Sequence, residues 1–416
     1  MKILKIQEAA KFFILLVPVF SLSIPHWGSA ASIVAVFFIS LCLFFGKENW
    51  RKNDIFDFIV FFVFSAYVLA ILFSQIARND FSYKAYLEHW RWLLGCFFYL
   101  YFRKFSSVME KKIDYILMAA IFSNCIASFF IMPSHQWGTG RKTIEFIDPI
   151  AYGYLNFSLA VMLLISLAFD FKKRDFGIVL FAKLSFVVLG FFISIMTQSR
   201  TGWLAFPVVF FVFLFVIYGF KLRWIVFSFV ASVLLSVLLY FSSDIVHSRL
   251  DTMFNELYSY PWSGGIADET SVGIRITLQR LGFYYFSQSP FFGWGDKGYL
   301  VIKDSPYVLG FSSQSQRDIA FDALFHSEWV TQSVRYGLLG FFATSIVFLY
   351  PAFAFLKNGI LCNKLTAMVF VFLIVNLFAS LTYETFDSKL FVVFYSYFIA
   401  VGLSAIPNRR LNFSNF

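Results

Sequence analysis

Charge is what this sequence has least of. Only 14% of its 416 residues are Asp, Glu, Lys or Arg, where a soluble domain carries about a quarter, and that excludes an ordinary water-soluble globule. Cysteine is also sparse. Cys42, Cys96, Cys125 and Cys362 all lie inside apolar runs, and no pair has metal-ligand spacing. They read as small buried hydrophobes, with no disulfide framework. No H-E-x-x-H, Cys/His cluster, glycine-rich nucleotide loop or Asp-x-Asp pair occurs. Metal-dependent and nucleotide-sugar mechanisms therefore lack their usual ligands, and neither metal nor cofactor is expected. The apolar runs are continuous and do not alternate with period two, which excludes a closed β-barrel. No internal repeat and no fused soluble module is visible.

What the chain does have is apolar length. Hydrophobic residues make up 59% of it, and 61 residues are phenylalanine. The phenylalanines read as lipid-facing and inter-helix filling, with no chemistry assigned to them. A helix needs about 20 apolar residues to cross a bilayer. On that measure helices fall near 12–25, 30–46, 55–76, 91–102, 113–133, 149–169, 176–197, 203–219, 223–242, 328–356, 361–381 and 388–406. The fold class is all-α integral membrane with about twelve spans. Helices 1–9 occupy 1–242, a large loop 243–327, and helices 10–12 the remainder, 328–416.

Basic residues orient this plan. Lys47, Arg51 and Lys52, then Arg103, Lys104, Lys111 and Lys112, then Lys172, Lys173 and Arg174, then Lys221 and Arg223, and finally Lys357 and Lys364 occupy short links. With Lys2, Lys5, Lys11, Arg409 and Arg410 they hold more than half of the 34 basic residues, all on the side of the termini. The positive-inside rule makes that side cytoplasmic. The net charge of +10 is thus a topology signal, and no nucleic-acid partner is expected. The three N-terminal lysines precede a first membrane helix, since no small-x-small cleavage site follows.

The connection 243–327 is unlike the others. It is long, polar and turn-rich, with Pro261, Gly264, Gly265, Pro290, Gly293, Gly295, Gly298 and Pro306. It follows an odd number of spans and so faces away from the cytoplasm, and loops of this length are usually functional. Residues 272–288 have helical potential and an apolar face that could lie on the outer leaflet.

Ionisable groups at a membrane surface are costly unless paired or used, and a few stand out on the outer side. His326 and Ser327 lead into the tenth span, followed by Gly337 and Gly340. On a continuous helix, His326, Ser333, Gly337, Gly340 and Thr344 fall within roughly 40° of one direction, a face on which glycines admit a neighbouring helix. Arg200 sits in the tight outer link Ser199-Arg200-Thr201-Gly202-Trp203. Arg275 and Arg280 lie in the amphipathic part of the loop. Each arginine could be a snorkelling anchor or a surface charge, and the histidine a helix-end residue satisfied by backbone. Taken together they outline a site for a diphosphate. Guanidinium forks bind phosphate oxygens bidentately, and a neutral imidazole accepts a proton from an attacking hydroxyl. Arg335, about 180° from His326 on a continuous helix, should face another partner or lipid headgroups. Glu384 and Asp387, in the last outer link, could pair with an arginine. Lys183 can snorkel at a cytoplasmic helix end.

These residues resemble a known family. His326-Ser327-x9-Gly337-x2-Gly340 is similar to the H-[NSQ]-x9-G-x2-[GTY] pattern of bacterial O-antigen ligases. Ser199-Arg200-Thr201-Gly202-Trp203 resembles the Ser-Arg-Gly link of the wider O-antigen ligase/polymerase superfamily. Arg275, followed by Ser289-Pro290-Phe291-Phe292-Gly293-Trp294-Gly295, resembles its loop arginine and Pro-x-x-Gly-x-Gly turn. The resemblance implies a glycosyltransferase C type membrane fold whose large periplasmic loop contains short helices. It implies an undecaprenyl-diphosphate-linked glycan donor, a lipid A–core sugar hydroxyl as acceptor, and inverting, metal-independent transfer at the periplasmic face of the bacterial inner membrane. Arg200 and Arg275, with Arg280 as the fallback for the latter, hold the diphosphate. His326 activates the acceptor, and Ser199, Ser327, Gly337 and Gly340 support the site. The same superfamily contains O-antigen and capsule polymerases and protein O-oligosaccharyltransferases. A lipid-linked sugar transporter is the alternative of a different class, although paired halves and midplane helix breaks are not seen.

Overall fold

The computed structural model describes residues 2–45, 55–130, 144, 146–174, 177–199, 201–219, 222–242, 244–321, 324–358 and 363–406. Arg200, Cys362 and the basic links at 46–54, 220–221 and 407–416 lie outside the described residues. The described chain is helical, without strands. The first half holds α1 (Lys2–Phe20), α2 (Trp27–Phe45), α3 (Ile55–Arg78), α4 (Tyr83–His89), α5 (Leu94–Phe130), α6 (Pro149–Lys173), α7 (Ile178–Met196), α8 (Phe206–Tyr218) and α9 (Leu222–Ser242). The large loop holds α10 (Asp244–Tyr258), α11 (Ser271–Gln288), α12 (Pro306–Leu309) and α13 (Gln314–Phe321). Then come α14 (Glu328–Tyr336), α15 (Leu338–Lys357), α16 (Lys364–Ser380) and α17 (Lys389–Ser404).

Among the described residues, five helical segments are long and apolar enough to cross a membrane: Ile55–Arg78, Met109–Phe130, Pro149–Lys173, Ile178–Met196 and Leu338–Lys357. Trp27–Cys42, Trp203–Tyr218, Lys364–Ser380 and Lys389–Ser404 are apolar but shorter. This is a multi-pass membrane protein. α6 is enclosed almost completely by protein, between α5, α7, α8 and α16. Other spans keep one apolar side uncovered, as at Phe58, Phe62 and Phe73 of α3, Phe181 and Val188 of α7, and Phe342, Leu349 and Phe353 of α15. That is how phenylalanine serves on a lipid-facing surface.

Three local features depart from the sequence reading. The helices expected at 91–102 and 113–133 are both present within α5, but they meet at a kink at Phe105 (φ −118°, ψ 27°) with no loop between them. The basic stretch expected as a link is helical, and its first residue has a partner on a neighbouring helix. Arg103 pairs with Asp57 of α3, which also accepts a 2.6 Å hydrogen bond from the Tyr99 hydroxyl. Lys183 does not snorkel. It is buried between Asp114 and Asp170, with Nζ 2.6 Å and 2.5 Å from their carboxylates, and Asp114 also pairs with Lys364. Four helices are thereby joined through buried charges. Such pairs lose much of their Coulomb gain to desolvation, so their contribution is register more than stability.

The third departure matters most for function. The helix expected over 328–356 is two helices, α14 and α15, separated at Gly337 (φ 66°, ψ −147°). A Cβ at 337 would overlap the backbone of Phe291 and Phe292, and one at Gly340 would meet the Gln332 carbonyl. α15 thus starts in close contact with the end of α14. The interaction that holds the break comes from the loop. Trp294 N donates to Val334 O (2.9 Å), Gly295 N to Arg335 O (2.8 Å), and Leu338 N to Pro290 O (2.7 Å). The Ser289–Gly295 turn therefore satisfies the last carbonyls of α14 and the first amide of α15, groups that a helix end leaves without partners. α11 does not present its apolar side to a leaflet. Leu278, Leu281 and Tyr285 are buried with Tyr299, Val308, Phe311, Phe325, Val330 and Val334 in a core that the loop shares with α14. Gly282 lets the two helices touch, since a Cβ there would strike Val330.

Gly337→Ala should lower stability by about 2 kcal/mol or more, from left-handed backbone strain and the clash with Phe291. The thermal midpoint of the detergent-purified variant checks this. An unchanged midpoint would mean that the break tolerates a side chain.

Candidate functional site

His326 does not lie on α14. It sits just before it, with Ser327 at the N-cap (φ −159°, ψ 125°), and its own backbone is left-handed at φ 51°. An L-residue there costs on the order of 1–2 kcal/mol, although histidine tolerates it better than branched residues do. The helical-face argument linking His326 to Gly337 and Gly340 therefore fails, because the helix starts after the histidine and stops at the first glycine. The glycines act differently, by allowing the loop turn to dock and α15 to turn back.

The imidazole is 26% exposed, and its Nδ1 lies 3.5 Å from Oε2 of Glu384, whose side chain is 4% exposed. Behind this pair is a second carboxyl. Glu328 is fully buried; its Oε1 accepts from Gln332 Nε2 (2.7 Å) and its Oε2 from the Phe386 amide (2.8 Å). Burial pushes the Glu328 carboxyl up to about 8 against those two hydrogen bonds, with Glu384 nearby adding to the rise. The link 382–388 that carries Glu384 is seated by Phe386, whose ring packs on Trp92 (4.7 Å), Phe348 (5.2 Å), Tyr67 (5.3 Å), Phe391 (5.5 Å) and Tyr395 (5.7 Å). Some of the phenylalanines thus hold the chemistry in place.

Of the predicted arginines, Arg275 and Arg280 both lie on α11, in different environments. Gln279 Nε2 approaches the His326 carbonyl and the Leu381 carbonyl, each at 3.4 Å. Arg275 is one helical turn before Gln279, so it shares that side of α11. The Arg280 guanidinium instead lies over the Phe311 ring, 4.3 Å from its centroid, on the loop's own core. Around position 200, Gly202 packs on Tyr154, and Gly153 packs on Thr197 and Ser199. Ser199 is buried, with its Oγ 3.5 Å from the Ile150 carbonyl. The Tyr154 ring in turn meets that of Tyr383 at 6.2 Å, the residue before Glu384. Contacts therefore run from both flanks of position 200, through α6, to the link that touches His326.

Sequence reasoning missed Arg78 here, and left Arg335 between another partner and lipid headgroups. Arg78, at the end of α3, donates from Nη1 to the Phe292 carbonyl (2.8 Å), the Ser74 hydroxyl (2.6 Å) and the Arg335 carbonyl (3.2 Å). It clamps the turn onto α14. Arg335 is buried and does not meet lipid headgroups; its Nη2 lies 3.7 Å from Asp387. Burial opposes its charge, but Tyr336, Asp387, Asp296 and Glu88 outweigh that and hold it more firmly protonated than usual. Beside it, burial and the Arg335 charge push His89 down to about 4, so that ring is neutral. The pairing of Asp387 with an arginine was expected, whereas that of Glu384 with a histidine was not. No spacing rule joins residues so far apart in the sequence.

Because Glu328 holds its proton more tightly in the folded state, unfolding releases that proton between pH 4.5, its ordinary value, and about 8. Wild-type stability should therefore fall as pH rises across that window, and Glu328→Gln should remove this contribution. Thermal midpoints at about pH 5 and about pH 9 test it. An equally steep fall in wild type and variant would contradict a protonated Glu328.

Comparison with known proteins finds two matches. An uncharacterized protein of Haemophilus influenzae is 24% identical over 364 residues, covering 86% of each chain. Residues 184–345, which include the 197–203 link, α11, the Ser289–Gly295 turn, His326 and both motif glycines, match the family model described as O-antigen ligase. This match, over about two fifths of the chain, supports a place in the O-antigen ligase/polymerase superfamily.

Proposed function

We propose that this protein is an O-antigen ligase. It transfers glycan from an undecaprenyl-diphosphate carrier to a sugar hydroxyl of lipid A–core, at the periplasmic face of the bacterial inner membrane. The observation that carries this reading is the corner at the head of α14. There a partly exposed imidazole, a buried carboxylate and the Arg275 side of α11 come together, and the link around residue 200 reaches the same corner through Tyr154 and Tyr383. Those groups suit displacement at a sugar carbon. The acceptor oxygen attacks the anomeric carbon as its proton passes to the His326 imidazole. The bond from that carbon to the diphosphate oxygen breaks, and the diphosphate leaves with the electron pair. Arg200 and Arg275 balance the negative charge that grows on the leaving group, a form of transition-state stabilisation that needs fixed cations and no redox chemistry. Attack opposite the leaving group inverts the anomeric centre. Metal independence follows from the arginines supplying the positive charge. On a twelve-span plan of the glycosyltransferase C type, with both termini cytoplasmic, this corner would lie on the outer side. Ser327, Gly337 and Gly340 support the site by starting α14 and ending it where the loop turn can dock.

The purified protein is offered lipid-diphosphate glycan with lipid A–core, a second lipid-linked glycan, or protein as acceptor. Consumption of lipid A–core is expected; consumption of lipid-linked glycan instead would make the protein a polymerase. His326→Ala should remain folded and lose transfer by about 10²-fold or more, the usual worth of a general base. Wild-type rates in that variant would refute the base assignment.

The two loop arginines should separate. Arg275→Ala should lower kcat/KM by about 10- to 100-fold, the worth of one or two hydrogen bonds to a charged group. Arg280→Ala should stay within about 3-fold in rate and instead cost about 0.5–1 kcal/mol of stability through the lost cation–π contact. The reverse ranking would move diphosphate binding to Arg280.

A further inference from the structure

We infer that Glu384 is the positioning residue for His326: its carboxylate accepts the Nδ1 proton, leaving Nε2 as the basic nitrogen that faces the acceptor hydroxyl. The inference rests on the role proposed above for His326.

Four observations carry it. The first is distance: Glu384 Oε2 is 3.5 Å from His326 Nδ1, a separation of the kind that tightens when a substrate closes a site. The second is which nitrogen is enclosed. Nδ1 is buried, and among the described residues it has no hydrogen-bond partner, whereas the side chain as a whole is about a quarter exposed (26%). The open part of the ring therefore lies away from Glu384. The third is that the other carboxyl is already occupied. Both Glu328 oxygens accept hydrogen bonds, from Gln332 and from the Phe386 amide, while Glu384 Oε1 is buried with no partner among the described residues. The fourth is that the backbone of each member is held in place. His326 is held by its left-handed backbone and the Gln279 contact. Glu384 is held two residues before the core-anchored Phe386.

The chemistry that follows is one proton transfer with fixed direction. When the acceptor oxygen bonds to the sugar carbon, its proton goes to Nε2, and the imidazolium so formed has its positive charge beside Glu384. An imidazole presenting the wrong tautomer, with a proton already on Nε2, cannot accept it. A carboxylate on Nδ1 removes that non-productive form and stabilises the cation.

The test uses full-length purified protein, the lipid-diphosphate glycan, and whichever acceptor the wild type consumes. Glu384→Gln keeps shape but cannot carry the charge. Its kcat should fall by about 10-fold or more, though by less than the about 10²–10⁴-fold of losing a general base outright, with KM for donor and acceptor unchanged. Glu384→Asp should retain more activity than Glu384→Gln. In a His326→Ala background, Glu384→Gln should have no further effect, because it acts through the ring. Glu384→Gln within about 2-fold of wild type, beside an inactive His326→Ala, would overturn this inference and leave the base assignment standing. A full additional loss in the double variant, or a loss confined to KM, would overturn it too. Wild-type activity in His326→Ala would instead sink the base assignment itself.

Discussion

The fold of the site depends on two backbones touching. Gly293 in the loop turn and Gly337 at the end of α14 approach so closely that neither position has room for a Cβ. The contact lets the turn's amides reach the carbonyls of Val334 and Arg335, and so the tenth helical region ends and restarts. Without the break, α14 would simply extend α15, and the residue before it would be carried wherever that longer helix pointed. With it, α14 becomes a short separate piece, buried on the loop side by α11 and on the bundle side by α3 and α15. His326 then sits at a junction between loop and membrane helices. A group there can be partly open to an aqueous substrate and still be held by a hydrocarbon core.

Aromatic packing and polar deficit are balanced around that junction. Phe386 is surrounded by five rings, with Tyr67 also tied to Thr344 by a 2.6 Å hydrogen bond. Apolar burial of this kind is worth roughly 1.5–3 kcal/mol for each large side chain. Against it stand buried polar atoms without partners among the described residues, on Glu384, Thr382, Thr385, Thr331 and Gln332, each of which costs about 1–3 kcal/mol.

Much of the architecture could be read from the sequence, because membrane crossing imposes a length and a composition that local runs reveal. Ends of helices were placed within a few residues for α2, α3, α16 and α17. Failures came where one residue's role depends on something distant. Gly337 and Gly340 fit a helix-packing face equally well, and only the arrival of the 289–295 turn makes 337 a stop. α5 runs through a basic stretch whose first residue, Arg103, has Asp57 across from it. Lys183 looks like a snorkelling residue until Asp114 and Asp170 are seen beside it. For the site, motif spacing singles out His326 and Arg275, whereas Glu384 stands out only as an outer-link acid that could pair with an arginine, because it precedes a different helix and no local pattern ties it to His326. Arg78 was invisible, since its partners are carbonyl oxygens, which every residue has.

Arg335 bears on how the molecule is made. Its charge is answered by Glu88 after α3, Asp296 in the loop and Asp387 before α17, acids that leave the ribosome at widely separated times. Glu88 and Asp296 are already made when Arg335 is, but its charge is only partly answered until Asp387 follows. α14 can therefore dock fully only near the end of synthesis. The catalytic corner would then be among the last parts of the protein to form, and a chain cut short before its final helix would insert without it.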